Sequence, residues 1–188
     1  LGASQRGWIY GYQSHPRVIP SNRAQVRAMP GGEPDPDSTA LLSGERQVAP
    51  GIEQIQPDHV ARYRWAAAKI DGDRVLDLGS GCGYGSALLR DAGAREVIGL
   101  ELSAESIEYA RQHYARPHVQ WLNADLDGRE SGDFLEPYNF DSATAFEIIE
   151  HLADPAPMLR SLPARRLFAS VPNEAVIPYS PQTAPFHQ

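Results

Sequence analysis

The sequence predicts an α/β domain built on a doubly wound, mostly parallel sheet. Three observations carry this. Short apolar runs bounded by glycine alternate with helical patterns from residue 73 to 171, the turn after the first run is crowded with glycine, and acidic residues close three successive runs. Strict alternation of strand and helix gives βαβ units and therefore parallel strands.

Taken in order, residues 1–38 form an arm and linker. Arg6, Arg17, Arg23 and Arg27 lie among Trp8, Tyr10 and Tyr12, with no acid before residue 31, and PGGEPDPD (30–37) lacks any apolar period. Such an arm either packs on the domain or a partner chain, or grips an anionic or planar substrate. The domain proper spans 39–188. A helix is predicted over 58–70, with Pro57 suited to its first turn. DRVLDLG (73–79) is a buried strand, GSALLRDAG (85–93) a short helix stopped by Gly93, and REVIGLEL (95–102) a second strand. SAESIEYARQHY (103–114) is a helix capped by Ser103, with Ile107, Ala110 and Tyr114 on one face. HVQWLNAD (118–125), FDSATAF (140–146) and RRLFASV (165–171) are the remaining strands, with a short helix around 158–162 before the last.

Composition narrows the function. The 188 residues are 41% apolar and 22% charged, which suits one soluble domain. No run approaches a membrane span and no signal pattern opens the chain. Cys82 is the single cysteine, so no disulfide can form within the chain, and a cytoplasmic setting is the expectation. A net charge of -7 argues against a broad nucleic-acid surface.

The glycine turn is the most informative stretch. DLGSGCGYG offers Asp77, Gly79, Gly81, Gly83 and Gly85. A dinucleotide site wants G-x-G-x-x-G here, but Tyr84 and Ser86 break both frames. What remains is D-x-G-x-G-x-G between a strand and a helix. Glycines let a backbone approach a ligand closely, and doubly wound sheets bind at the carboxyl ends of their strands. An acid before the loop repels a pyrophosphate but suits an ammonium and a sulfonium, which points to S-adenosylmethionine. Glu101 closes the second strand and could accept both ribose hydroxyls, with Leu102 beside it. Asp125 closes the third and could accept from the adenine amino group, with Leu126 next in sequence.

VLDLGSGCGYGSALL, with Glu101 and Asp125, resembles the class I (Rossmann-like) S-adenosylmethionine-dependent methyltransferases over roughly residues 40–188. The resemblance implies two further strands after the fifth, whereas the sequence ends at Gln188 just beyond it; a truncated sheet is the expectation. Cys82 reads as a small loop residue, since methyl transfer from a sulfonium needs no covalent enzyme intermediate.

AFEIIEH (145–151) begins where the fourth strand ends. If the backbone turns helical after Phe146, Glu147, Glu150 and His151 share one face. Two readings compete: a divalent-metal site completed from elsewhere, or a structural helix start. E-x-x-E-H followed by a later histidine resembles the metal site of the small-RNA 3'-end 2'-O-methyltransferases. That resemblance implies Glu147, Glu150, His151 and His187 as ligands of Mn, Mg, Fe, Co or Zn, with Glu150, His151 and His187 catalytic. A metal would orient a sugar hydroxyl and lower its pKa; His151 or His187 as a general base is the metal-free alternative.

SGERQVAPGIEQIQPDHVARYRWAA (43–67) resembles the lead-in of bacterial methyltransferases of glycan pathways, which implies a lid bringing Glu45, Arg46, His59 and Tyr63 near an acceptor. The alternative is that Glu45 and Arg46 pin the lead-in to the domain. The function expected is methyl transfer to a hydroxyl of a sugar, glycoconjugate or other small molecule. An RNA 2'-O-methyltransferase is the second reading, favoured by the basic arm and disfavoured by the net charge. An incomplete cofactor-binding domain serving as an interaction module is the third.

Overall fold

The computed structural model describes residues 47–127 and 139–173. The arm at 1–38, Glu45, Arg46 and His187 lie outside the described residues. Nine main elements follow in order: α1 (Pro57–Ala67), β1 (Arg74–Leu78), α2 (Tyr84–Asp91), β2 (Glu96–Glu101), α3 (Ala104–His113), β3 (Val119–Asn123), β4 (Phe140–Phe146), α4 (Pro155–Ser161) and β5 (Ala164–Ser170). The five strands pair in parallel in the order β3-β2-β1-β4-β5. Winding leaves β1 toward β2 and β3, then restarts on its other side at β4. The ends of β1 and β4 therefore flank the switch point, where this class of sheet opens a crevice for ligands.

Alternation along the strands feeds two cores. Val75, Val97, Trp121 and Phe168 face α1, α2 and α3, meeting Val60, Tyr63, Ala66, Leu89, Ile107 and Ala110. Leu76, Leu78, Ile98, Leu100, Ala143 and Ala145 face the other way, onto Leu126, Leu152 and Met158 of α4. Leu76 and Leu100 are wholly buried; truncating either to alanine removes about 2–5 kcal/mol.

Strand and helix ends agree with the sequence reading to within a residue or three. Ser103 caps α3 as expected, its hydroxyl accepting from Ser106 N–H at 3.1 Å. α4 starts earlier than the apolar pattern suggested, because Asp154 caps Ala156 N–H at 3.1 Å and Pro155 opens the first turn. α1 stops at Ala67, and Lys69 and Ile70 close a turn onto Ala66 and Ala67. Among the described residues no helix is long and apolar enough to cross a membrane.

Candidate cofactor and active site

The loop after β1 is built largely from backbone. Gly79, Gly81 and Gly83 all lie in the left-handed region, at φ 66°, 52° and 89°. Around Gly81 no described residue lies within 4 Å of the position a Cβ would take, so among them its conformation rather than crowding selects glycine, and the space above it is open. The loop is tied to β2: Ser80 N–H donates to Leu100 O at 2.9 Å, and Gly81 N–H donates to Glu101 Oε2 at 3.0 Å. Glu101 Oε1 accepts from Ser103 N–H at 2.9 Å. One carboxylate thus joins the loop to the start of α3.

Asp77 behaves differently from the expectation that it faces an ammonium. Its side chain is fully buried. Oδ1 accepts from Thr144 Oγ1 at 2.7 Å and from Tyr63 Oη at 3.0 Å, while Oδ2 accepts from Ser86 Oγ at 2.6 Å. Burial pushes its pKa up and the three hydroxyls pull it back. Asp77 is a hub joining β1, β4, α1 and α2 behind the loop. Sequence reasoning missed Ser86 and Thr144 and placed Tyr63 near an acceptor instead, because nothing local marks hydroxyls that meet across four elements. Tyr63 itself is buried on Asp77, which takes its hydroxyl away from the acceptor role the lid reading implied.

Just beyond the ends of β2 and β3, Leu102 is 62% exposed and Leu126 is buried. Exposed Asp125 accepts from Asp127 N–H at 3.0 Å. Asp127 in turn accepts from Ala153 N–H at 2.9 Å, linking this loop to the turn after β4. Ile148 from that turn covers Gly79; a Cβ on Gly79 would come within 2.6 Å of it. Cys82 is buried within the glycine loop.

The turn after β4 is not the helix on which a shared face for Glu147, Glu150 and His151 depended. Glu147 N–H still donates to Ser170 O at 3.1 Å, continuing the β4–β5 ladder, and Glu147 then takes φ 53°. Only Ile149–His151 coil, as a 3-10 turn. The strand ladder has captured the residue that would have opened a helix, so Glu147 shares no helical face with Glu150 and His151. Its Oε1 accepts from Ser170 Oγ at 2.6 Å and faces Arg62 Nε at 3.6 Å. Glu150 and His151 are half-buried, while Leu152 is buried with Ile148 and Ile149 against the second core. Among the described residues no group of three histidine, cysteine or acidic side chains is placed to hold a metal.

Residues 75–164 match a family model described as a methyltransferase domain. That segment is just under half of the chain, which is similar there to S-adenosylmethionine-dependent methyltransferases. The chain is 32% identical over 119 residues to a ubiquinone biosynthesis O-methyltransferase of Neisseria meningitidis serogroup C, an overlap of 63% of this chain and 48% of that one. It is 32% identical over 170 residues to a Mycolicibacterium smegmatis protein named "Probable S-adenosylmethionine-dependent methyltransferase", covering 81% of this chain and 62% of the relative. Among solved structures, an S-adenosylmethionine-dependent methyltransferase from Mesorhizobium loti aligns with 53% of this chain and 47% of its own at 26% identity and a TM-score of 0.43. The chain spans about half the length of the ubiquinone biosynthesis relatives it matches.

Proposed function

We propose that the whole protein transfers a methyl group from S-adenosylmethionine to a hydroxyl of a small molecule, such as a sugar, glycoconjugate or phenol-like acceptor. The observation that carries this is the left-handed glycine loop hydrogen-bonded to Glu101 beside open space at Gly81. Oxygen as the acceptor atom is supported by the names of the 32%-identical relatives. Bound S-adenosylmethionine supplies an electrophilic methyl on a sulfonium, and its transfer to oxygen leaves a neutral thioether and one proton to be removed.

The chain's part is binding, orientation and removal of that proton. Glu101 would hold the ribose hydroxyls while keeping its bonds to Gly81 and Ser103. The backbone at Gly81, open among the described residues, would admit the amino-acid portion, with Gly79 and Gly83 shaping the loop; Leu102 and Leu126 would flank the adenine, and Asp125 would accept from its amino group. His151, in the turn beside the switch point, takes the acceptor proton; imidazole is the side chain best suited to proton exchange near neutrality.

A metal ion implied at Glu147, Glu150, His151 and His187 does not fit the described residues. Glu147 faces a guanidinium, which would repel a cation, and its oxygen is held by Ser170. No step is therefore routed through a metal. Incubating the purified chain with methyl-labelled S-adenosylmethionine and a panel of sugar, phenol and RNA acceptors tests the reading. Label in an alkali-stable ether of a small molecule, retained with a chelator present, supports it. Label confined to RNA, or dependent on added manganese, overturns it.

A further inference from the structure

The matched segment begins at residue 75, yet the hub behind the glycine loop takes one of its three donors from α1, upstream of it. We propose that Tyr63 is a positioning residue for the cofactor loop, its hydroxyl fixing Asp77 so that the loop keeps its ligand-ready shape. This rests on reading that loop as the S-adenosylmethionine site.

The packing leaves Tyr63 little freedom. Its ring lies against Gly85, where a Cβ would come within 2.1 Å of it, so Gly85 is glycine to admit this ring. Tyr84 and Phe146 meet it edge-on, with centroids 5.5 and 4.9 Å away. Tyr84 opens α2 and Phe146 ends β4. Burial and Asp77 hold the phenol's pKa well above its ordinary value, so Tyr63 stays a donor throughout the neutral range.

The next residue on α1 reinforces the arrangement. Arg62 Nε faces Glu147 at 3.6 Å, so adjacent residues of one helix hold the ends of β1 and β4 on the two sides of the switch point. Without the Tyr63 donor, Asp77 keeps Thr144 and Ser86 but loses its tie to α1. Its proton affinity then rises, since a hydrogen bond that favoured the charged form is gone. The titratable groups facing Asp77 are Tyr63 from α1, Tyr84 from α2 and Glu101 from β2.

The test is calorimetric titration of S-adenosylmethionine into the full chain, wild type and Tyr63→Phe, across pH 5 to 8. Tyr63→Phe keeps the ring and its packing. Affinity should fall about tenfold at neutral pH, the worth of one hydrogen bond to a charged acceptor, and the deficit should widen toward pH 5 as Asp77 takes up its proton earlier. Thr144→Val, which removes a donor to the same oxygen, should behave alike, and Thr144→Ser should recover binding. A merely structural tyrosine would lower the melting temperature and leave the pH profile of binding in place. Equal binding by wild type and Tyr63→Phe at every pH overturns the proposal, as does a deficit that is the same at every pH. Should Tyr63→Phe not fold, a wild-type pH profile in Thr144→Val overturns it equally. No binding by the wild type defeats the reading of the site and this proposal with it.

Discussion

Asp77 and Glu147 are carboxylates at the ends of neighbouring strands, and both are linked to the same helix, yet they are built in opposite ways. Asp77 is sealed off and satisfied by three neutral hydroxyls from three elements. Glu147 keeps 23% of its side chain in solvent, meets a cation and one hydroxyl, and sits in a left-handed backbone. A sealed carboxylate cannot release one partner without stranding the others, whereas a partly solvated one can exchange them with water. The first is suited to holding a loop in one shape. The second is suited to a turn that must accommodate an acceptor.

The sharpest way to break this comparison is Asp77→Ala. It leaves three buried hydroxyls without their acceptor, so unfolding free energy should drop by about 3 kcal/mol or more, with cofactor binding lost; denaturant unfolding and titration read both. Gly81→Ala comes next. Its φ of 52° strains any side chain, but no described residue crowds the new methyl, so stability should fall by only about 1–2 kcal/mol while cofactor affinity falls about tenfold. A Gly81→Ala variant with unchanged affinity would mean that the loop does not contact the ligand. The smallest effect belongs to Glu147→Gln, which weakens a partly solvated ion pair worth about 0.5 kcal/mol. Its melting temperature and cofactor affinity should stay close to wild type, and a chelator should change neither. A large loss of cofactor affinity in Glu147→Gln would erase the contrast with Asp77.

The sheet and the glycine loop were legible in the sequence because their signals are local. Alternation with period two, a cap at Ser103 and glycines at fixed spacing after a strand each act within a few residues. The turn after β4 was not legible. Whether 147–151 becomes a helix depended on a ladder bond to Ser170 and an ion pair to Arg62, both far away in sequence. The same holds for Asp77: its chemistry as an acid before a glycine loop was visible, but its burial was decided by Tyr63 and Thr144, 14 and 67 residues distant. The start of α4 lay between these cases, since Asp154-Pro155 is a local cap signal outweighed by the apolar pattern around Met158.

The most direct test of the central claim is calorimetric titration of S-adenosylmethionine into the wild-type chain and into Glu101→Ala. The account predicts saturable one-to-one binding by the wild type and loss of at least tenfold in affinity on removing the carboxylate that joins the loop to the start of α3. Binding unaffected by Glu101→Ala, or no binding by the wild type, would contradict it.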